Sequence, residues 1–176
     1  MFDGSGYRPT LYGWYKNNIR EPIKQAWNDL IDDVSTFDFF NTDINKVYKA
    51  RFFSAYRGSI VIRHDISFLT SWGINGTIWL NHNLDQLTMI QKENTLNHEY
   101  GHICQEKKMG RIKYIAAVFI PSATYNVISR FDSTLEAHYY DMPWENDADR
   151  RGRVNRAEKA PWANLISDIY LKLWGE

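Results

Sequence analysis

A chain of 176 residues carries about one domain's worth of sequence, long enough to bury a core without disulfides or a structural metal. Lys+Arg and Asp+Glu balance at 21 each, which argues against a nucleic-acid binder that works through a basic surface. A hydrophobic content of 44% excludes general disorder, and the single cysteine, Cys104, excludes a disulfide framework and an all-cysteine metal site.

Met1 to Trp14 is rich in Gly and aromatics and lacks the basic-then-apolar run of a secretory signal. From Glu21 the pattern is helical. Pro22 suits a first helical position, and Ile23, Ala26, Trp27, Leu30, Ile31 and Val34 recur at spacings of three and four. That spacing predicts an amphipathic helix with one buried face. Thr36 to Asn45 reads as a loop, followed by a short helical turn over Ile44 to Ala50. Ser59 to Arg63 follows Arg57-Gly58 and Thr77 to Leu80 follows Asn75-Gly76, so each reads as a strand. Arg51 to Ala55 offers a third strand.

Glu93 to Gly110 predicts a second helix. Leu96, Tyr100 and Ile103 form one stripe, Lys107 and Lys108 fall in the last turn, and Gly110 stops it. Ile112 to Ile128 is the most apolar stretch, but Lys113, Pro121, Ser122 and Asn126 interrupt it. It falls short of a membrane span and reads as core. Asp141-Met142-Pro143 starts a short helix that runs from Trp144 to Arg151 and ends at Gly152. From Ala160 a last helix places Trp162, Leu165, Ile166, Ile169, Tyr170 and Leu173 on one face, expected to dock on the core. The whole chain, 1–176, reads as one α+β domain whose small, mostly antiparallel sheet packs on the Glu93–Gly110 helix.

Residues 98–102 read His-Glu-Tyr-Gly-His. On a helix, His98 and His102 project from one face and reach one cation. Glu99 lies beside that cation, where a carboxylate takes a proton from water. With this chain's own His and Glu content the motif arises by chance in about 0.6% of such sequences, so it counts as signal. Catalytic zinc usually has three protein ligands plus water. His64, His82 and His138 are candidates for the third, but none stands at the H-x-x-G-x-x-H spacing of the metzincins. Glu145 is the stronger candidate. Glu145 and Asp149 are four apart on one helical face, so one ligates while the other accepts the N–H of a ligating imidazole. Small Ala148 between them lets this helix approach the first. Asp147 and His138 compete for the third position.

His98-Glu99-x-x-His102 followed by Glu145-x-x-x-Asp149 resembles the gluzincin pattern of thermolysin-type and prenyl-protein-processing peptidases. The resemblance implies a zincin-like fold, a zinc ion on His98, His102 and Glu145, and Asp149 orienting a ligand histidine. The segments LNHEYGHICQEK, AVFIPSATYNVISR and YYDMPWENDADRRGRV more closely resemble small metallopeptidase domains at the C-termini of bacterial Rhs/YD-repeat polypeptides. That similarity implies a toxin or effector domain, resident in the bacterial cytoplasm or exported within a larger polypeptide. It also implies that Thr77, Ile78, Trp79 and Leu80 form the edge strand above the metal, to which an extended substrate adds.

The expected chemistry is endopeptidase hydrolysis of a protein or peptide substrate. Glu99 acts as general base on a water activated by zinc and returns the proton to the leaving amine. Tyr140 and His138 are candidate donors to the oxyanion. Cys104 lies off the His98/His102 face, without a ligand role. Arg150, Arg151, Arg153, Arg156 and Lys159, interleaved with Asp147, Asp149 and Glu158, read as a solvated face, with Arg150 a possible partner for carboxylates beside the metal. Two further readings are a catalytically inactive zinc-binding interaction module and a metal-dependent hydrolase of a non-peptide amide. A buried Glu99, a fourth protein ligand or a closed groove marks the first of these.

Overall fold

The computed structural model describes residues 11–66, 71–154, 156 and 159–174. The chain start over residues 1–10 and Glu158 lie outside them. Helix α1 (Leu11–Tyr15) runs through a π-helical stretch, Lys16–Arg20, into α2 (Glu21–Ser35). A short α3 (Ile44–Lys49) follows, capped by the Asp43 carboxylate. Then come β1 (Phe53–Tyr56), β2 (Ser59–His64), β3 (Ser71–Ile74) and β4 (Thr77–Asn81). Helix α4 (Met89–Met109) leads into α5 (Arg111–Tyr114), a second π-helical stretch, and α6 (Ile120–Ser129). The chain closes with α7 (Ser133–Ala137), α8 (Pro143–Gly152) and α9 (Ala163–Leu173).

The class is α+β, and the sheet is mixed. Its order is β1-β2-β4-β3. The outer pairs β1/β2 and β3/β4 are antiparallel hairpins, while the central pair β2/β4 runs parallel. Both hairpins turn on two residues of positive φ, Arg57-Gly58 and Asn75-Gly76, the backbone that matches the twist of tight hairpins. The sequence reading missed β3. Asn75-Gly76 beside Thr77–Leu80 was its signal, since a two-residue turn needs a strand on either side. Placing β3 outside β4 also overturns one expectation: Thr77, Ile78, Trp79 and Leu80 are interior to the sheet, and β3 is the edge.

Helix α4 starts one turn earlier than the Glu93 expectation. Thr88 caps it in a reciprocal box with Gln91, which satisfies two otherwise unpaired amides. Its Leu96 and Ile103 are fully buried with Val47, Tyr56, Val61, Ile78 and Leu80 from α3 and the sheet. Each buried aliphatic side chain contributes about 1.5–3 kcal/mol relative to exposure. A second cluster gathers Met109, Tyr114, Ala117 and Val118, with Trp144 and Tyr170 packed against it. The layers run sheet, α4, α8, α9.

Two helices present their apolar stripes differently from expectation. On α2, Ile23, Trp27, Ile31 and Val34 are exposed. The one buried residue of α2 is Asp33, whose carboxylate accepts the amides of Arg51, Phe52 and Phe53 at 3.2, 2.7 and 3.0 Å. On α9, Ala163, Ser167 and Leu171 meet α8, whereas Leu165, Ile166, Ile169 and Leu173 are exposed. Periodicity reports which face is apolar, not whether another element covers it. The Ile112–Ile128 stretch is likewise core only in part: Tyr114, Ala117 and Val118 are buried, but Ile112, Ile120, Val127 and Ile128 are exposed. No helix among the described residues is long and apolar enough to cross a membrane.

Candidate metal centre

The site forms where α4 crosses α8. A Cβ on Gly101, inside the His-Glu-Tyr-Gly-His segment, would lie 1.9 Å from the Ala148 carbonyl oxygen. A Cβ on Gly152 would lie 1.9 Å from the Asn97 carbonyl oxygen. The two backbones therefore touch at both ends of the crossing, and only hydrogen fits between them. This contact draws Glu145 and Asp149, fully buried on a strongly polar helix, against His98 and His102. Ala148, expected to allow the approach by its small side chain, meets α4 through its backbone, and the room for that contact comes from Gly101.

Three atoms converge there. Glu145 Oε2 is 2.9 Å from His98 Nε2 and 3.3 Å from His102 Nε2. One ligand atom from each residue falls within 4.8 Å of the others, so the group could hold a metal ion. The donor set fits one: every ligating residue has its remaining heteroatom fixed by a partner, which sets ring tautomer and orientation. His98 Nδ1 bonds Asp149 Oδ1 at 2.7 Å, and His102 Nδ1 bonds Gln105 Oε1 at 2.8 Å. Glu145 Oε1 accepts the Ser122 hydroxyl, which itself lies 3.0 Å from the Tyr139 hydroxyl. Gln105 Nε2 donates to Trp144 O at 2.8 Å and Asp147 Oδ2 at 2.9 Å. Asp149 Oδ2 receives Arg156 Nε at 2.8 Å and Lys159 Nζ at 3.1 Å.

Without a cation the cluster is an ion-paired knot. Burial opposes charge on His98, yet Asp149 and Glu145 outweigh it and hold its pKa well above the usual imidazole range. Burial opposes charge on His102 too, and Glu145 again outweighs it to give a raised pKa. Burial pushes the Glu145 carboxyl up, but His102 and His98 pull it well below the ordinary range. Asp149 is lowered against its own burial by His98, Arg156 and Lys159. Burial, reinforced by Glu145, pushes the Tyr139 phenol well up, so it stays protonated.

Glu99 is buried, 4% exposed, and stands outside the ligand triad. Its Oε1 accepts the Ser71 hydroxyl at 2.6 Å, and its Oε2 has no partner. It lines a cavity of about 420 Å³ together with His98, His102, Ser71, Trp72, Tyr114 and Tyr139. Apolar walls come from Val118, Phe119, Ala123 and Val127, with Asn126 and Arg130 beside them. Strand β3 forms one side because Gly73 passes close over α4; a Cβ there would sit 2.4 Å from Glu99 O. The Gly73 carbonyl points away from β4 to the Tyr114 hydroxyl, 2.7 Å away. Strand alternation turns the Ser71 backbone the same way. Glu106 anchors the β3/β4 turn to α4 by accepting the Asn75 amide.

Other sequence candidates lie elsewhere. His138 is not beside the ligands: its Nδ1 bonds Asp141 Oδ2 at 2.9 Å and its ring lies 6.3 Å from Trp162. The 3-10 turn Tyr139–Asp141 carries its backbone past the site. Tyr140 stands edge-on to His98, ring centres 5.4 Å apart, with Arg156 stacked on its own face at 3.5 Å. Of the two tyrosines it is Tyr139 that lines the cavity. Asp147 binds Gln105 and Arg151, not the ligand cluster. His64 packs on Trp72 at 5.0 Å, and His82 bonds Arg63 and Asp85. Cys104 interacts with Tyr100. The basic run is solvated at Arg150 and Arg153, as expected, and less so at Arg151, Arg156 and Lys159. Arg150 pairs with Asp168, while Arg151 reaches Asp147, and Arg156 and Lys159 reach Asp149.

Sequence reading missed Gln105, Ser122, Tyr139 and Ser71. Gln105 follows His102 by three and could have been found as a same-face neighbour; the others are brought in by tertiary packing alone. No model of a known family matches this chain, and no characterised protein or solved structure matches it either.

Proposed function

We propose that the protein is a zinc-dependent metallopeptidase of gluzincin type, with a zincin-like arrangement of sheet and active-site helix. The observation that carries this reading is the meeting of His98, His102 and Glu145 with Asp149 on His98, pairs 43 or more residues apart in sequence on two different helices, beside an open cavity. Two nitrogen ligands and one carboxylate suit zinc with a position left for water. A zinc ion bound there would supply Lewis acidity, lowering the pKa of a water to about 7 and polarising a substrate carbonyl.

The chain's own residues do the rest. Glu99, with one oxygen tied to Ser71 and the other unpartnered, accepts a proton from the attacking water and delivers it to the leaving amine. Asp149 and Gln105 hold the two imidazoles in the tautomer that presents Nε2 to the ion. The outward backbone of β3 at Ser71, beside a Gly73 carbonyl already held by Tyr114, pairs with an extended peptide, and the apolar walls of the cavity take a side chain. The sequence resemblance to domains that end Rhs/YD-repeat polypeptides supports an effector role for such a peptidase.

One observation favours the inactive zinc-binding module instead: Glu99 is buried. Against it stand the 420 Å³ cavity that Glu99 lines and the absence of a fourth protein ligand among the described residues. Metal quantification on purified protein, with cleavage of a proteome-derived peptide library by wild type and Glu99→Gln, decides between them. We expect about one zinc per chain in both proteins and a loss of about 10²–10⁴-fold in cleavage by Glu99→Gln. Metal loss in that variant would make Glu99 a ligand, and metal without cleavage in the wild type would favour the module.

A further inference from the structure

We propose that Ser122, held by Tyr139, is a positioning residue that restricts Glu145 to a single ligating oxygen and so keeps one vertex of the metal ion open. The inference rests on the metal-centre reading above and concerns two residues that are not themselves ligands.

Glu145 is fully buried, and its two oxygens have separate surroundings. Oε2 faces both imidazoles, at 2.9 Å from His98 Nε2 and 3.3 Å from His102 Nε2. Oε1 is turned away and accepts the hydroxyl of Ser122. A serine hydroxyl has one proton. If Ser122 spends it on Glu145, the 3.0 Å contact with Tyr139 must run the other way, with the Tyr139 O–H donating to Ser122 Oγ. The result is a directional chain, Tyr139 to Ser122 to Glu145 Oε1, that enters from α6 and from the turn before α8.

A carboxylate beside a divalent ion binds through one oxygen or two. The choice here turns on what else Oε1 can do. With Ser122 present, Oε1 is already satisfied inside the protein. Without it, Oε1 loses the donor that the Ser122 hydroxyl supplies and keeps only the Tyr139 phenol within reach, a loss that a second bond to the cation relieves. Two bonds from Glu145 would fill the position that catalytic zinc sites leave for water. The helix that lines the cavity with Ser122, Ala123 and Val127 thereby also sets the coordination number.

The test is cobalt(II) absorption on metal-free wild type, Ser122→Ala, Ser122→Thr and Tyr139→Phe, each loaded with one equivalent of cobalt. Wild type and Ser122→Thr should give the intense visible band of a four-coordinate ion. Ser122→Ala should lose it for the weaker band of a five-coordinate ion, and Tyr139→Phe should lose part of it. Should Ser122→Ala fail to fold by circular dichroism, Tyr139→Phe carries the test, because it removes one oxygen and leaves the packing. A wild-type spectrum that is already five-coordinate, or a four-coordinate band unchanged in the folded variants, overturns the inference with the metal centre intact. Failure of wild type to take up cobalt or zinc overturns the metal centre itself, and this inference with it.

Discussion

Asp149 and Glu145, one helical turn apart, hold opposite nitrogens of the same imidazole: Asp149 Oδ1 lies 2.7 Å from His98 Nδ1, and Glu145 Oε2 lies 2.9 Å from His98 Nε2. A ring gripped on both sides cannot rotate. Its orientation is thereby set before any ion arrives. Asp149→Ala removes one grip and the carboxylate that Arg156 and Lys159 neutralise. The expected outcome is a 10–100-fold weaker zinc affinity, about the usual cost of removing such a partner. Competition against a chromophoric chelator measures it, and an unchanged affinity would show that Asp149 does not orient His98.

Gly101→Ala should be, with Gly152→Ala, among the most damaging one-carbon additions at the described glycines. Its new Cβ would fall 1.9 Å from a backbone oxygen, Ala148 O, which cannot rotate away as a side chain would. The helices must separate, at a cost of about 3 kcal/mol or more, and Glu145 withdraws from the imidazoles. Urea unfolding and zinc content should fall together. A stable variant with full zinc binding would contradict the close crossing of α4 and α8.

Metal uptake should be strongly pH-dependent. In the metal-free protein Asp149 and Glu145 overcome burial to raise the pKa of His98, and Glu145 does the same for His102. A raised pKa means the rings hold protons near neutrality that a cation must displace, so affinity climbs with pH through that range. The linkage to folding has the matching sign. Stability from these imidazolium pairs is complete below the unfolded value of about 6.5 and is lost as pH rises through the raised folded value. Titration calorimetry at pH 7 in two buffers of different ionisation heat should report net proton release. Zero release would sink this account of the cluster.

Peptide binding along β3 should centre on Ser71. The Gly73 carbonyl, which shares that outward edge, is already held by the Tyr114 hydroxyl, and successive strand residues face opposite ways. An N-methyl scan across a bound peptide should therefore weaken affinity at the residue that pairs with Ser71, by about 1 kcal/mol. A flat scan would remove β3 as the substrate strand.

The gap between sequence and structure is clearest at three places. The His98/His102 face and the Glu145/Asp149 face were legible because helical spacing alone fixes which side chains project together. The edge strand was not: Thr77–Leu80 is the more strand-like run, but β3, short and carrying Gly73, is the one that fits over α4. The exposed stripes of α2 and α9 show the same limit for burial, because a local pattern carries no information about its neighbour.

The sequence by itself determined the two helices that carry His98/His102 and Glu145/Asp149, the strands that follow Arg57-Gly58 and Asn75-Gly76, and which residues of each helix share a face, because these depend on contacts within a few residues. Only the tertiary structure decided that the faces meet, that Gly101 and Gly152 make the meeting possible, and that Gln105, Ser122 and Tyr139 complete the surroundings of the three ligands. Those depend on distances between segments tens of residues apart, which are set by packing volume and buried hydrogen bonds across the whole chain.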